Sequence, residues 1–109
     1  MLFHFQSGAG TTFKDDHRSY FEDRFRTLKK FMENYEQNRA LNDTVEVRVS
    51  LNRNLHHKKG DLIQGKATIF YPGHGRFHAE TKGSTLKACA DDLVDKLKPQ
   101  IQKFKAHHA

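Results

Sequence analysis

Wound at 3.6 residues per turn, the segment "TKGSTLKACADDLVDKLKPQIQKFK" (Thr81 to Lys105) puts Lys87, Lys98 and Lys105 in one row. Lys96 and Lys103 fall in a second row, and Asp91, Asp92 and Asp95 lie between the two, nearer the helix start. Ammonium groups set out this way make and break no bonds. They bind anions, and a series of phosphates best of all. Part of the pattern has a plainer origin. Acids near a helix N-terminus and bases near its C-terminus each complement the macrodipole by about 0.3–1 kcal/mol. Asp92 and Lys96, four apart, form a helix pair worth about 0.2–0.5 kcal/mol. Neither argument reaches Arg48, Arg53, Lys58, Lys59, Lys66, Arg76 and Lys82, which fall on strands and loops.

Other chemistries find little to work with. The eight histidines include two adjacent pairs, His56–His57 and His107–His108, and His74 and His78 straddle a turn. There is no HExxH and no Cys/His quartet, so no metal and no cofactor is expected. Cys89 is the one cysteine, which rules out an internal disulfide and fits a reducing, intracellular setting. A Cys89 nucleophile has no identifiable base, and no glycine-rich phosphate loop is present. The reading is of a protein that is not an enzyme and takes no small-molecule substrate.

The net charge of +6 sits entirely in one part of the chain. Residues 1–44 carry seven Lys/Arg and seven Asp/Glu, whereas residues 45–109 carry twelve against six. Such a bias favours a polyanion, either nucleic acid or an acidic membrane surface. No apolar run is long enough to span a bilayer, and "MLFHF" lacks the basic start of a signal peptide. The apolar stripe of the last helix is needed to cover a sheet, which leaves nothing to insert into lipid. A cytoplasmic protein without membrane contact is the expectation.

Those cations need elements to hold them. "LFHFQ" (Leu2–Gln6) reads as a half-buried strand with Phe3 and Phe5 on one side. A helix then starts near Asp15 or Asp16 and carries Phe21, Phe25, Leu28, Met32 and Tyr35 at spacings of three and four, to about Glu36. "TVEVRVSL" alternates, with Val45, Val47, Val49 and Leu51 on one face. "KATIFY" (Lys66–Tyr71), the turn "PGHG" and "RFHAET" (Arg76–Thr81) form a hairpin. Ser84 or Thr85 caps the last helix, whose stripe is Leu86, Ala90, Leu93, Leu97, Ile101 and Phe104. Pro99 sits inside it and predicts a kink, or else a break into two helices. The order is β-α-β-β-β-α, and the fold class is α+β. The architecture is a two-layer sandwich, a four-stranded sheet with both helices packed on one face. Residues 1–109 make one domain, with 105–109 as a flexible tail.

"VEVRVSL", the helix "YFEDRFRTLKKF" and the junction "FHAETKGSTLKACADDLVDKLKPQIQKFK" together resemble the ribosome hibernation-promoting factor family, also called the ribosome-associated inhibitor or S30AE group. The resemblance rests on a hairpin strand ending in Gly83, on Ala88, Ala90 and Asp91 after it, and on the spacing from Leu93 to Lys103. It departs from the family pattern at Lys87, where an aromatic is usual, and at Pro99. It implies a short-form factor that binds the 30S ribosomal subunit through 16S rRNA. Sitting in the channel of messenger and transfer RNA, such a factor blocks translation and preserves idle ribosomes, and is a monomer off the ribosome. By matching positions it implies RNA contacts by Arg24, Lys96, Lys103 and Lys105, and by Arg18 as a weaker match. Charge placement alone adds Arg76, Lys82 and Lys87. The rival reading is a double-stranded-RNA-binding module not tied to the ribosome, which shares the sheet and last helix but clusters its lysines where aspartates stand here.

Overall fold

Alternation in the valine-rich strand decides the layering. A computed structural model describes residues 2–8, 14–28, 45–54, 62–71 and 75–108. Their elements are β1 (Leu2–Ser7), α1 (Asp15–Arg26), β2 (Glu46–Asn54), β3 (Leu62–Tyr71), β4 (Gly75–Gly83) and α2 (Leu86–His108). The four strands form one sheet in the order β1-β2-β3-β4. β1 runs parallel to β2, as a helical crossover between them requires, and the other pairs are antiparallel. Val47, Val49, Leu51, Ile63, Ala67, Ile69, Phe77 and Ala79 face one way and are buried. The alternate positions look out to solvent from a face that no described helix covers.

Both helices lie on the buried face. α1 sits over β1, where Phe21 and Phe25 meet Phe5 and Phe3 edge-on, with ring centroids 6.2 and 6.4 Å apart. α2 buries Cys89, Ala90, Leu93, Val94, Leu97 and Ile101 over β3 and β4. Farther along, Phe104 stands edge-on to Phe77 at 5.7 Å and to Tyr71 at 6.2 Å. Each such aromatic or aliphatic side chain stabilises the fold by about 1.5–3 kcal/mol when fully buried. Gly65 is the close-approach point under this layer. A Cβ there would come within 3.0 Å of Leu51 Cδ2 and Thr81 Cγ2. Gly75 opens β4 at φ +106°, a conformation that glycine adopts without strain.

The expected order, class and layering hold, and three boundaries move. α1 closes at Arg26 rather than running to about Glu36. Thr27 Oγ1 donates to the Arg24 carbonyl at 2.6 Å, and the Thr27 and Leu28 amides bond three residues back, tightening the last turn. Met32 and Tyr35 lie outside the described residues. β2 and β3 are longer than read, because their ladder continues from Leu51↔Gly65 to Asn54↔Leu62 through nominally polar sequence. At the far end, α2 passes Pro99 as one helix and continues to His108. Residues 105–108 are part of this helical backbone. Ile101, buried, and Phe104, packed on Tyr71 and Phe77, hold those turns against the sheet.

Candidate nucleic-acid interface

Thr85 Oγ1 accepts from the Ala88 amide at 3.0 Å, the N-cap geometry that starts α2 and sets the rotation of every later side chain. That rotation sends one flank of α2 toward α1 and the other toward the outer edge of β4. The two lysine rows read from the sequence are these two flanks.

On the α1 side, Asp91 is the centre. Its Oδ1 accepts from Tyr20 Oη and from Arg24 Nε, each at 2.7 Å. Lys87 Nζ lies 5.4 Å from the centroid of the Tyr20 ring, in reach of its negative face. The carboxylate beside the Tyr20 hydroxyl raises the phenol above its ordinary range. The hydrogen bond to Asp91 contributes most, then desolvation. Arg24 and Lys87 are thereby brought to one cluster around Tyr20 and Asp91. Arg18 is not. It is exposed two residues before Tyr20, a separation of about 200° around the helix.

On the β4 side the organiser is Asp92. It accepts from Thr81 Oγ1, a buried hydroxyl, and from Lys96 Nζ at 3.0 Å. These bonds hold the Asp92 carboxyl below the usual aspartate range, with Thr81 the larger cause and Lys96 next. Lys96 also donates to the Glu80 carbonyl at 2.8 Å. One turn on, Gln100 accepts from the His78 amide at 3.3 Å and donates to its carbonyl at 2.8 Å. Gln64, Lys66, Lys82 and Lys96 share a groove of about 630 Å³ with Thr81 and Asp92. Lys103 is exposed two turns beyond Lys96 on the same flank. Arg76 is on the open face of β4 and lines a hollow at the sheet edge with Thr68, His78 and Gln100 of α2. Lys105 belongs to α2, but its side chain lies outside the described residues.

Among the described residues, Arg18, Arg76, Lys82 and Lys103 make no ion pair, so their charge is open to a ligand. Arg24 and Lys96 are held in place by aspartates. The sequence reading found the Asp92–Lys96 pair but missed Tyr20, Thr81 and Gln100. It also missed the role of Asp91 across 71 and 67 residues of chain. No local spacing announces contacts between elements. Cys89 is buried, its thiol pushed up by desolvation first and by Asp92 second, which keeps it protonated and unreactive. Among the described residues, no three His, Cys, Asp or Glu side chains come together as a metal site would need. No described helix is long and apolar enough to cross a membrane.

What this arrangement can do is bind phosphates on a surface of fixed shape. Residues 6–108 match the family model described as "Sigma 54 modulation protein / S30EA ribosomal protein". Among solved structures, the chain is similar to the crystal structure of the Thermus thermophilus Protein Y N-terminal domain. The two share 21% identity over 95% of this chain and 99% of that one, with a TM-score of 0.66. That likeness establishes the fold. Among curated proteins, none matches the sequence.

Proposed function

The chain belongs to the S30EA ribosomal protein family of ribosome-associated hibernation factors, and from that premise we propose that it binds the small ribosomal subunit through 16S rRNA. It occupies the channel for messenger and transfer RNA, inhibits translation in the cytoplasm and preserves idle ribosomes. The observation that carries this reading is the pair of cation-bearing flanks on α2, each anchored by an aspartate to a neighbouring element, Asp91 to Arg24 of α1 and Asp92 to Thr81 of β4. Arg24 and Lys87 form one side of the phosphate-binding surface. Lys82, Lys96, Lys103 and Lys105 form the other, and Arg18 and Arg76 extend it at its margins.

No catalysis is required. Each phosphate neutralised releases counterions, and the affinity of such a surface falls steeply with salt. Recognition is of shape and backbone, as it is for folded RNA generally. Anchoring matters here because a lysine already fixed in position loses less side-chain entropy on meeting its phosphate.

The test is co-sedimentation with purified 30S subunits. Replacing Lys96, Lys103 and Lys105 together by glutamate should abolish pelleting while circular dichroism stays unchanged. Persistent pelleting at moderate salt would show that the surface is misassigned. Equal affinity for plain duplex RNA and for 30S subunits would favour the ribosome-independent duplex-binding reading.

A further inference from the structure

The solvent face of the sheet holds an aromatic that the core does not use. Phe70 on β3 points away from both helices, is half-buried, and takes no part in the hydrophobic cluster beneath. The Arg48 guanidinium lies over its ring, 5.1 Å from the centroid, and Arg76 is its partner in register on β4. Next along the strands, the register sets His4, Arg48, Thr68 and His78 side by side across all four strands. Beyond that row stand Ser50 and Lys66. His4, Arg48, Ser50, Lys66, Thr68 and His78 help line a shallow trough of about 230 Å³.

Charge on this face favours an anion. Among the described residues, its outward positions carry Arg48, Lys66, Arg76 and Lys82 against Glu46 and Glu80. Both carboxylates are shared. Glu46 lies 3.6 Å from Arg48 and 4.0 Å from His4, and Glu80 lies 3.4 Å from Lys66 and 3.7 Å from His78. Glu46 is partly exposed and the other groups are well exposed, so the pairs exchange readily for a phosphate. The hydroxyls of Ser50 and Thr68 add neutral donors, although Thr68 Oγ1 also meets His78 Nδ1 at 2.8 Å.

We infer that this open face is a second RNA-contact surface, on the opposite layer from the helices, which takes a single-stranded segment. One base stacks at Phe70, against its ring or on the Arg48 plane, and the neighbouring phosphate enters the trough between Arg48 and Lys66. Stacking supplies affinity without base identity, and the arginine serves both as a planar stacking partner and as a cation. The stacking pair, Phe70 and Arg48, lies away from the α2 lysines. Lys66 and Lys82 also border the groove with Lys96, so one RNA can run from one surface onto the other or two RNA elements can be bridged.

The two surfaces are separated by using the Lys96, Lys103, Lys105 triple glutamate variant as background. Its binding to a fluorescent single-stranded RNA dodecamer is measured by anisotropy at low salt, with a duplex of equal length and poly-glutamate as comparison probes. The single strand should bind, and Phe70→Ala or Arg48→Ala should each weaken it about fivefold or more, the loss of one stacked base. Both side chains lie outside the core, so circular dichroism of each variant should match that of the parent. In the nitrogen-15 spectrum of the triple variant, the dodecamer should shift amides of Arg48, Lys66, Thr68, Phe70 and His78. Shifts confined to α1 and α2, no effect of either substitution, or equal binding of poly-glutamate would each overturn the inference. Retention of 30S binding by Phe70→Ala in the otherwise unaltered chain tests the helix surface separately.

Discussion

Arg24 on α1 and Asp91 on α2 meet Nε to Oδ1 at 2.7 Å, and the same oxygen takes the Tyr20 hydroxyl. Three side chains thus tie the two helices at the point where a proposed RNA-binding cation stands. Both members of the ion pair are more than a third exposed, so solvent screening limits the pair to about 0–1 kcal/mol. Its weight is in placement. Asp91→Ala should cost about 1 kcal/mol in a urea melt and should weaken 30S binding more than that loss of stability explains, because Arg24 becomes free to rotate. A variant equally stable and equally active would remove Asp91 from any positioning role.

The same cluster makes a prediction at high pH. Asp91 raises the Tyr20 phenol, so the folded chain holds that proton more tightly than the unfolded chain does. The associated stability is fully present below the ordinary tyrosine range near pH 10 and is lost as pH rises through the folded-state value. In an ultraviolet phenolate titration one tyrosine should ionise late, and Asp91→Asn should bring it back toward the others.

Asp92 gives the opposite sign. Its folded-state value is depressed, first by the Thr81 hydroxyl and then by Lys96. The stability it contributes is present above the ordinary aspartate range near pH 4 and fades as pH falls through the folded value. Thr81→Val keeps the buried shape but removes the donor. The variant should lose stability at neutral pH and lose less of what remains on acidification, as read by melts at several pH values. A parallel acid limb in both proteins would show that the hydroxyl does not set the titration.

Much of this was legible in the sequence, and what was missed has a pattern. The alternation of Val45, Val47, Val49 and Leu51 and the stripe from Leu86 to Phe104 are burial written at periods of 2 and 3.6, and the structure places them accordingly. The two lysine rows were readable for the same reason. Their division into a flank against α1 and a flank against β4 was not, because it depends on where α2 lies across the sheet. Tyr20–Asp91, Thr81–Asp92 and His78–Gln100 join residues 71, 11 and 22 positions apart, a range at which spacing carries no information. The strand extensions to Asn54 and from Leu62 were hidden by polar composition that the backbone ladder tolerates.

Gln100 protects an edge. β4 ends the sheet, and its outward amides and carbonyls form a template for another strand. The Gln100 amide answers both backbone groups of His78, and Lys96 answers the Glu80 carbonyl. Gln100→Ala uncovers the His78 pair. At high concentration the variant should self-associate in sedimentation velocity, whereas Gln102→Ala, a change at an exposed position of the same helix, should not. A monomeric Gln100→Ala would mean that the Lys96 contact is enough to block the edge.

Pro99 offers the clearest route to a more stable chain. A proline inside a helix leaves the carbonyl four residues back, here that of Asp95, without its amide donor and costs about 3 kcal/mol relative to alanine. The helix nevertheless continues, since Leu97 and Ile101 on either side are buried at 0% and 2% exposure and hold both halves to the sheet. Packing therefore outweighs the lost bond, and the cost is still present in the folded state. Pro99 itself is exposed, so Pro99→Ala removes no core contact. The substitution should add about 1–3 kcal/mol in denaturant melts, each kcal/mol raising Tm by roughly 4–8 °C for a chain of this size. Binding to 30S subunits should be retained if the lysines on both flanks keep their rotation about the helix axis. A variant that gains stability but loses binding would show that the proline aims Lys103 and Lys105 at their phosphates.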